Sequence, residues 1–353
     1  MRGFFWKSAI GFLVLAMFSG CGLVDDLLGS DVLIVEVPRG GSVTKTVTVD
    51  LPDPETGELA ADVMWLVDLS GSFDDDLALW KEQTNAIAGA LRDVVPNFRV
   101  ALSSFVDAPC GEFGDPTWGD YGYRLELAFS SDVDQFSETV NNLEVLSGND
   151  IPESQLEAMY QAMTGLGREV DGECANASIP PSNPNWGGDR LRFLLVSTDA
   201  PFHTPTDVDE YGVSYPYPTT VDNVIETAQR LGVTIFFFNG GDIDASASDI
   251  ASATGGLVLD VGTDSSGLVD AIANAVNGAV TQAEVRLVPV GDDGLVSRIE
   301  PDVATVDLTT TRSLTFSVTF TDSGLAAGEV NFELEIRVNG SLIGSIPVVV
   351  VLE

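Results

Sequence analysis

The chain has 353 residues, 44% of them apolar, enough for two or three domains with buried cores, and this excludes disorder as its default state. Its 54 acidic against 16 basic residues give a net charge of -38, which repels nucleic-acid phosphates and anionic membrane surfaces and excludes nucleic acid as a partner. Most of this carboxylate is expected to be solvated surface, so metal binding has to be argued from carboxylates at ligand spacing.

Residues 1–20 carry Arg2 and Lys7, an apolar run over 9–18, and then Ser19 and Gly20 ahead of Cys21. These are the features of an export signal rather than a spanning helix. The ending Phe18-Ser19-Gly20-Cys21 resembles the bacterial lipobox, in which the cysteine is acylated and becomes the mature N-terminus; Phe18 stands where leucine is usual. The resemblance implies a lipid-anchored protein of the bacterial cell envelope, with Cys21 as the lipidation site and the lipid as its only membrane contact. Gly22 after the cysteine, rather than Asp, favours the outer membrane in a Gram-negative cell. A cleaved signal without acylation, giving a periplasmic or secreted chain, is the alternative. No later apolar stretch is long enough to cross a bilayer. In an oxidising compartment Cys110 and Cys174 are expected to form one disulfide, against the alternative of two free buried thiols.

After the signal, 32–37 and 43–51 read as strands around the turn Arg39-Gly40-Gly41-Ser42, and 51–58 as an acidic, turn-rich linker. From 63 to about 280 strands alternate with helices. Apolar strands are predicted at 63–67, 99–105, 125–129, 191–197 and 233–238. A helix over 75–94 places Leu77, Trp80, Ile87 and Leu91 on one face, and further helices are predicted at 153–164, 221–231 and 266–277. The pattern predicts a doubly wound, mostly parallel α/β sheet whose site lies at the carboxyl ends of its strands. Beyond 281 the period returns to two, in Leu314, Phe316, Val318 and Phe320 and from Val330 to Val338, with Asn339-Gly340 as a hairpin turn. The N-terminal strands are too few to bury a core. They are therefore expected to join the C-terminal strands in one β-sandwich, residues 22–60 and 282–353, into which the α/β domain, 61–281, is inserted. A separate C-terminal sandwich with a loose N-terminal hairpin is the alternative.

The first α/β strand runs into Asp68-Leu69-Ser70-Gly71-Ser72, a carboxylate and two hydroxyls on one tight loop, and the strand at 191–198 is followed by Asp199. Hard oxygens of this kind suit Mg²⁺, Mn²⁺ or Ca²⁺, although a loop rich in Asp and Ser also serves simply to cap a helix. His203 is the only histidine. That excludes a multi-histidine zinc site, leaves a single candidate base for a hydrolase, and with no Gly-rich phosphate loop predicts that the chain is not an enzyme. His203 itself is expected to be a loop residue with a satisfied hydrogen bond.

The stretches 68–77 (DLSGSFDDDL), 104–107 (SFVD), 121–124 (YGYR), 147–153 (SGNDIPE), 197–203 (STDAPFH) and 264–266 (DSS) resemble the von Willebrand factor A family. Within that family they are most similar to the I-like domain of integrin β subunits, which is inserted into a β-sandwich called the hybrid domain. The resemblance extends over roughly 31–353 and implies three neighbouring metal sites. The central metal-ion-dependent adhesion site would take Mg²⁺ or Mn²⁺ on Asp68, Ser70, Ser72, Glu153 and Asp199. An adjacent Ca²⁺ site would use Asp75 and Asp76 with carbonyls of Ser72 and Thr263. A third Ca²⁺ site would use Asp107, Asn149, Asp150 and the carbonyl of Pro152, with Glu153 bridging to the central ion; its loop is one residue shorter than the usual integrin form, which bears most on Asp150. Without metal, Asp75 and Asp76 would still favour the helix N-terminus, by about 0.3 to 1 kcal/mol each.

The function implied is metal-dependent adhesion, in which the Asp or Glu carboxylate of a protein ligand completes the central shell and the helix at 266–277 moves. The loops at 110–121 and 203–217 are short beside their integrin counterparts, so no integrin α-type partner is implied. The alternative is a structural scaffold lipoprotein of an envelope complex whose metals stabilise loops. A chelatase-type accessory subunit conflicts with export.

Overall fold

The computed structural model describes residues 32–53, 56, 58–241, 243–262 and 267–353. The expected lipidation site Cys21, and Thr263 with the 264–266 stretch, lie outside the described residues. Two short strands open the chain, β1 (Leu33–Val37) and β2 (Ser42–Asp50), and they do not pair as a hairpin. The Gly40 turn between them carries the chain from one sheet to another. Strand β1 lies parallel beside the last strand, β14 (Ser341–Leu352), and β2 runs antiparallel to β12 (Ser313–Thr321) over nine residue pairs, from Ser42 opposite Thr321 to Asp50 opposite Ser313.

The N-terminal strands thus complete both layers of a β-sandwich. The larger sheet orders β1-β14-β13-β9-β11, where β9 is Ala283–Val290, β11 is Ala304–Val306 and β13 is Gly328–Val338. The smaller orders β10-β12-β2, where β10 is Val296–Glu300. Alternation by two explains the packing: Phe316, Val318 and Phe320 of β12 with Val47 and Val49 of β2 meet Val285, Leu334, Val348 and Val350 of the facing sheet.

Between β2 and β9 the chain forms a six-stranded sheet in the order β5-β4-β3-β6-β7-β8. Its strands are β3 (Ala60–Asp68), β4 (Asn97–Phe105), β5 (Arg124–Ser130), β6 (Leu191–Thr198), β7 (Val233–Asn239) and β8 (Val258–Asp260). All pairings are parallel except that of the edge strand β5 with β4. Strand β3 is buried along its whole length, and its alternate side chains serve two cores. Val63, Trp65 and Val67 face helices α1 (Asp74–Val94), α2 (Val133–Asn141) and α6 (Leu268–Thr281). Met64 and Leu66 face α3 (Gln155–Thr164), α4 (Val221–Leu231) and α5 (Ser246–Thr254). This is the doubly wound α/β domain within a sandwich that the sequence pattern predicted.

The differences have local causes. Helices α2 and α5 escape periodicity because each is nine residues long. Helix α3 begins at Gln155 rather than 153, because Glu153 is held in extended backbone: its N–H bonds the Pro201 carbonyl and its carbonyl accepts from the His203 N–H. Helix α6 continues to Thr281 and leads almost directly into β9.

Both parts belong to one compact unit spanning Val32–Glu353. The β13–β14 hairpin ties them together. Asn339 and Gly340 both have positive φ, as its tight turn requires. The Asn339 amide donates to the Ala279 carbonyl in the last turn of α6 at 2.7 Å, and Ser341 Oγ donates to the Gly232 carbonyl behind α4 at 2.6 Å. Cys110 and Cys174 form the expected disulfide, joining the loop after β4 to a 3₁₀ turn at Gly172–Ala177.

The largest fully buried side chain is Trp80 of α1, whose ring centroid lies 3.8 Å from that of Trp65. Trp80→Ala should cost about 3 to 5 kcal/mol, read as a lower midpoint in denaturant unfolding, because so large a void on the central strand cannot collapse.

Candidate metal centre

The chain order reverses at β3, with β4 on one side and β6 on the other, so the crevice at their carboxyl ends is a topological switch point. Asp68 ends β3 and Asp199 follows β6, which brings residues 131 positions apart in sequence to one rim.

Asp68 is fully buried and its two oxygens are individually held. Oδ1 accepts the Ser70 N–H at 2.9 Å, and Oδ2 accepts the Thr198 hydroxyl at 2.6 Å. Gln155, the first residue of α3, fixes Thr198 in turn by donating to Oγ1 at 2.9 Å and to the Ala200 carbonyl at 3.1 Å. The two loop hydroxyls lie together, Ser70 Oγ 3.2 Å from Ser72 Oγ, and Ser72 donates to Asp199 Oδ1 at 2.9 Å. Oxygen-to-oxygen spacings of about 3 Å, as between Ser70 and Ser72 and between Ser72 and Asp199, suit the shell of a small divalent ion, and an all-oxygen donor set fits a hard one.

Glu153 is also buried, with Oε2 lacking any hydrogen-bond partner. Gly148 makes room for it: a Cβ there would lie 2.5 Å from Glu153 Oε1, and the glycine's φ of +60° disfavours a side chain in any case. Burial, followed by the charges of Asp68, Asp107 and Asp150, pushes the Glu153 carboxyl well above its ordinary range. Glu153 therefore lies within electrostatic reach of both the central cluster and the third one.

In the first turn of α1, Asp75 is exposed and accepts the Asp76 N–H at 3.2 Å, while Asp76 is buried against Gly240, where a Cβ would lie 3.0 Å from its Oδ2. Asp75 is close enough to Asp199 to raise that carboxyl, after burial. These two aspartates thus border the central cluster.

The third cluster is arranged differently from the expected ligand set. Asp107 is buried; its Oδ1 accepts from Ala108 N–H at 2.7 Å, from Ser154 Oγ at 2.8 Å and from Tyr215 Oη at 3.3 Å. Its Oδ2 lies 3.2 Å from His203 Nε2 without a well-directed hydrogen bond, and Asp150 Oδ1 lies 3.2 Å from the same nitrogen. Asn149 is exposed and contributes its N–H to the Phe113 carbonyl; Pro152 is half-buried. His203 is a loop residue with satisfied hydrogen bonds, as expected, but it meets three carboxylates, with Asp207 on Nδ1 at 2.9 Å. Burial lowers its pKa, but Asp107, Asp150 and Asp207 outweigh that and push it up to about 10. Thr198, Gln155, Tyr215 and Asp207 also escaped sequence reasoning, since single polar residues carry no spacing signal. Only the polar step Ser197-Thr198 at the end of an apolar strand hinted at them.

A switch-point rim carrying Asp-x-Ser-x-Ser and a second aspartate on the neighbouring strand defines a von Willebrand factor A-type domain. Residues 57–220 match the family described as Integrin beta chain VWA domain. Human integrin beta-6 is 26% identical over 199 residues, covering 52% of this chain and 23% of that protein. Integrin beta pat-3 of Caenorhabditis elegans is 27% identical over 187 residues, 50% of this chain and 20% of the relative. The match thus spans less than a quarter of these relatives' length. The pilus adhesin SpaC of Lactobacillus rhamnosus GG, in its open conformation, aligns over 87% of this chain and 45% of its own at a TM-score of 0.42 and 10% identity.

Burial pushes Asp68 up from 3.8 to about 7. An acid raised by folding opposes folding: the cost begins near the unfolded pKa and is complete above the folded one. In EDTA the melting temperature should therefore fall between pH 5 and pH 7.5, by an amount on the order of a few kcal/mol in stability. Excess Mg²⁺ should restore it at pH 7.5, and Asp68→Asn should flatten the slope. A melting temperature that rises with pH in EDTA would contradict this account.

Proposed function

We propose that this protein is an adhesion-type component of a bacterial cell envelope that holds a protein partner through a divalent ion at the central site. The observation that carries the reading is the convergence of Asp68, Ser70, Ser72 and Asp199 around the switch point, with Asp68 held on the Ser70 N–H and the Ser70, Ser72 and Asp199 side chains in contact at 2.9–3.2 Å. Asp68, Ser70, Ser72 and Asp199 would hold Mg²⁺ or Mn²⁺, with Glu153 closing the inner side. The ion would supply a positive centre with an open position for an Asp or Glu carboxylate of the partner. Asp75 and Asp76 would hold a second ion, Ca²⁺, beside it. Binding, rather than catalysis, is the role this donor set supports.

The chain's own residues prepare the site. The Thr198 hydroxyl and the Ser70 N–H keep the Asp68 carboxylate oriented, and Gln155 keeps Thr198 in place. Among the described residues no helix is long and apolar enough to cross a membrane. Attachment is proposed through acylated Cys21, supported by the lipobox-like ending of the signal.

Calorimetric titration of Mg²⁺, Mn²⁺ and Ca²⁺ into the chain from Gly22 onward should show saturable binding. Asp68→Ala and Asp199→Ala should each lose the Mg²⁺ event while still folding, and partner capture should be lost with it. Capture that survives both substitutions would favour a scaffold whose metals only stabilise loops. In a bacterial host, Cys21→Ser should end incorporation of labelled fatty acid and move the protein from the membrane to the soluble fraction; continued labelling would remove the anchor.

A further inference from the structure

His203, the chain's single histidine, is a metal-ligand-type side chain at this rim that the integrin-type ligand sets leave unused. Its ring is almost fully buried, stacked on Tyr215 at 4.4 Å and met edge-on by Phe113 at 5.0 Å. Asp207 holds it from the far side: Oδ2 lies 2.9 Å from Nδ1 and also accepts the Thr204 N–H at 2.9 Å. With Nδ1–H given to Asp207, Nε2 can offer its lone pair to an ion once its own proton is released to solvent. A carboxylate partner on the second nitrogen is the usual support of a metal-bound histidine.

Nε2 faces two more carboxylate oxygens, Asp107 Oδ2 and Asp150 Oδ1, each 3.2 Å away; without metal its proton lies between them, in the place an ion would take. Asp107 Oδ2 is wholly buried and has no hydrogen-bond partner, a costly state for a carboxylate oxygen unless a cation satisfies it. The three atoms lie within 4.8 Å of one another. Spacings of 3.2 Å suit a common ion with bonds of about 2.0–2.1 Å. Asp150 is partly exposed and gives an ion a way in from solvent. Glu153 Oε2, buried and unpartnered, is the fourth donor at hand.

We propose that Asp107 Oδ2, Asp150 Oδ1 and His203 Nε2 form a mixed nitrogen and oxygen site for a first-row transition ion of the Zn²⁺ or Co²⁺ kind, with Asp207 fixing the imidazole tautomer. Ca²⁺ takes oxygen ligands, whereas imidazole favours the transition metals. The site uses none of Asp68, Ser70, Ser72 and Asp199, so it can be tested apart from the central ion.

The test uses the untagged chain from Gly22 onward, in which His203 gives the only histidine signals. Co²⁺ binding is followed by visible absorption and Zn²⁺ binding by the imidazole ¹⁵N shifts, each repeated in excess Ca²⁺. Asp68→Ala should keep this site while losing Mg²⁺ binding, so that the two readings fail separately. Asp207→Asn should weaken Zn²⁺ about 10- to 100-fold, and His203→Gln by more. A Zn²⁺-induced shift confined to Nε2 that excess Ca²⁺ does not reverse is the expected result. An imidazole that stays doubly protonated and unshifted in saturating Zn²⁺, or a Co²⁺ spectrum unchanged in folded His203→Gln, would overturn the proposal; the ¹⁵N measurement needs no variant to fold.

Discussion

The burial of like charge at one end of the central sheet governs the rest of this structure. Asp68, Asp107 and Glu153 are all removed from solvent within mutual electrostatic reach, in a chain already carrying a net charge of -38. Taking even one carboxylate out of water costs several kcal/mol unless a proton, a donor or a cation compensates. Neighbouring groups supply part of that compensation, through Thr198 and Ser70 at Asp68 and through Ser154, Tyr215 and Ala108 at Asp107. Glu153 Oε2 and Asp107 Oδ2 remain without hydrogen-bond partners, although His203 Nε2 lies 3.2 Å from the latter. The rim is therefore built with a deficit of positive charge that divalent ions can fill.

The fold makes this deficit affordable by anchoring the rim to rigid elements. Asp68 sits at the end of the most buried strand, Trp65 and Trp80 pack below it, and α3 begins immediately beyond Glu153 and Ser154. The Cys110–Cys174 disulfide secures the loop that follows Asp107. On the opposite end of the domain, the Asn339 amide grips the last turn of α6, so any axial displacement of that helix has to act on the β13–β14 hairpin and through it on the sandwich.

The overall negative charge and the proposed carboxylate-bearing partner are compatible because the interaction is local. Solvent-exposed charges beyond a Debye length of about 8 Å are screened at physiological salt, whereas a divalent ion at the rim dominates its immediate surroundings. The distant surface charge affects solubility and approach, and the ion determines contact.

Much of this was legible in the sequence. Continuous apolar runs such as 63–67 suit strands covered on both faces, and period-two runs such as Leu314 to Phe320 suit half-buried ones, so this contrast separated the α/β insert from the sandwich. The central loop was legible because its ligands are adjacent in sequence, with Asp199 marked by the end of an apolar strand. The tertiary structure alone decided which sheet each N-terminal strand joins, since strand pairing depends on distant partners rather than local pattern. It alone brought His203, 96 positions from Asp107 and 53 from Asp150, onto the same two carboxylates. A lone histidine has no period or spacing to betray it, and its role follows from the charges that folding places around it.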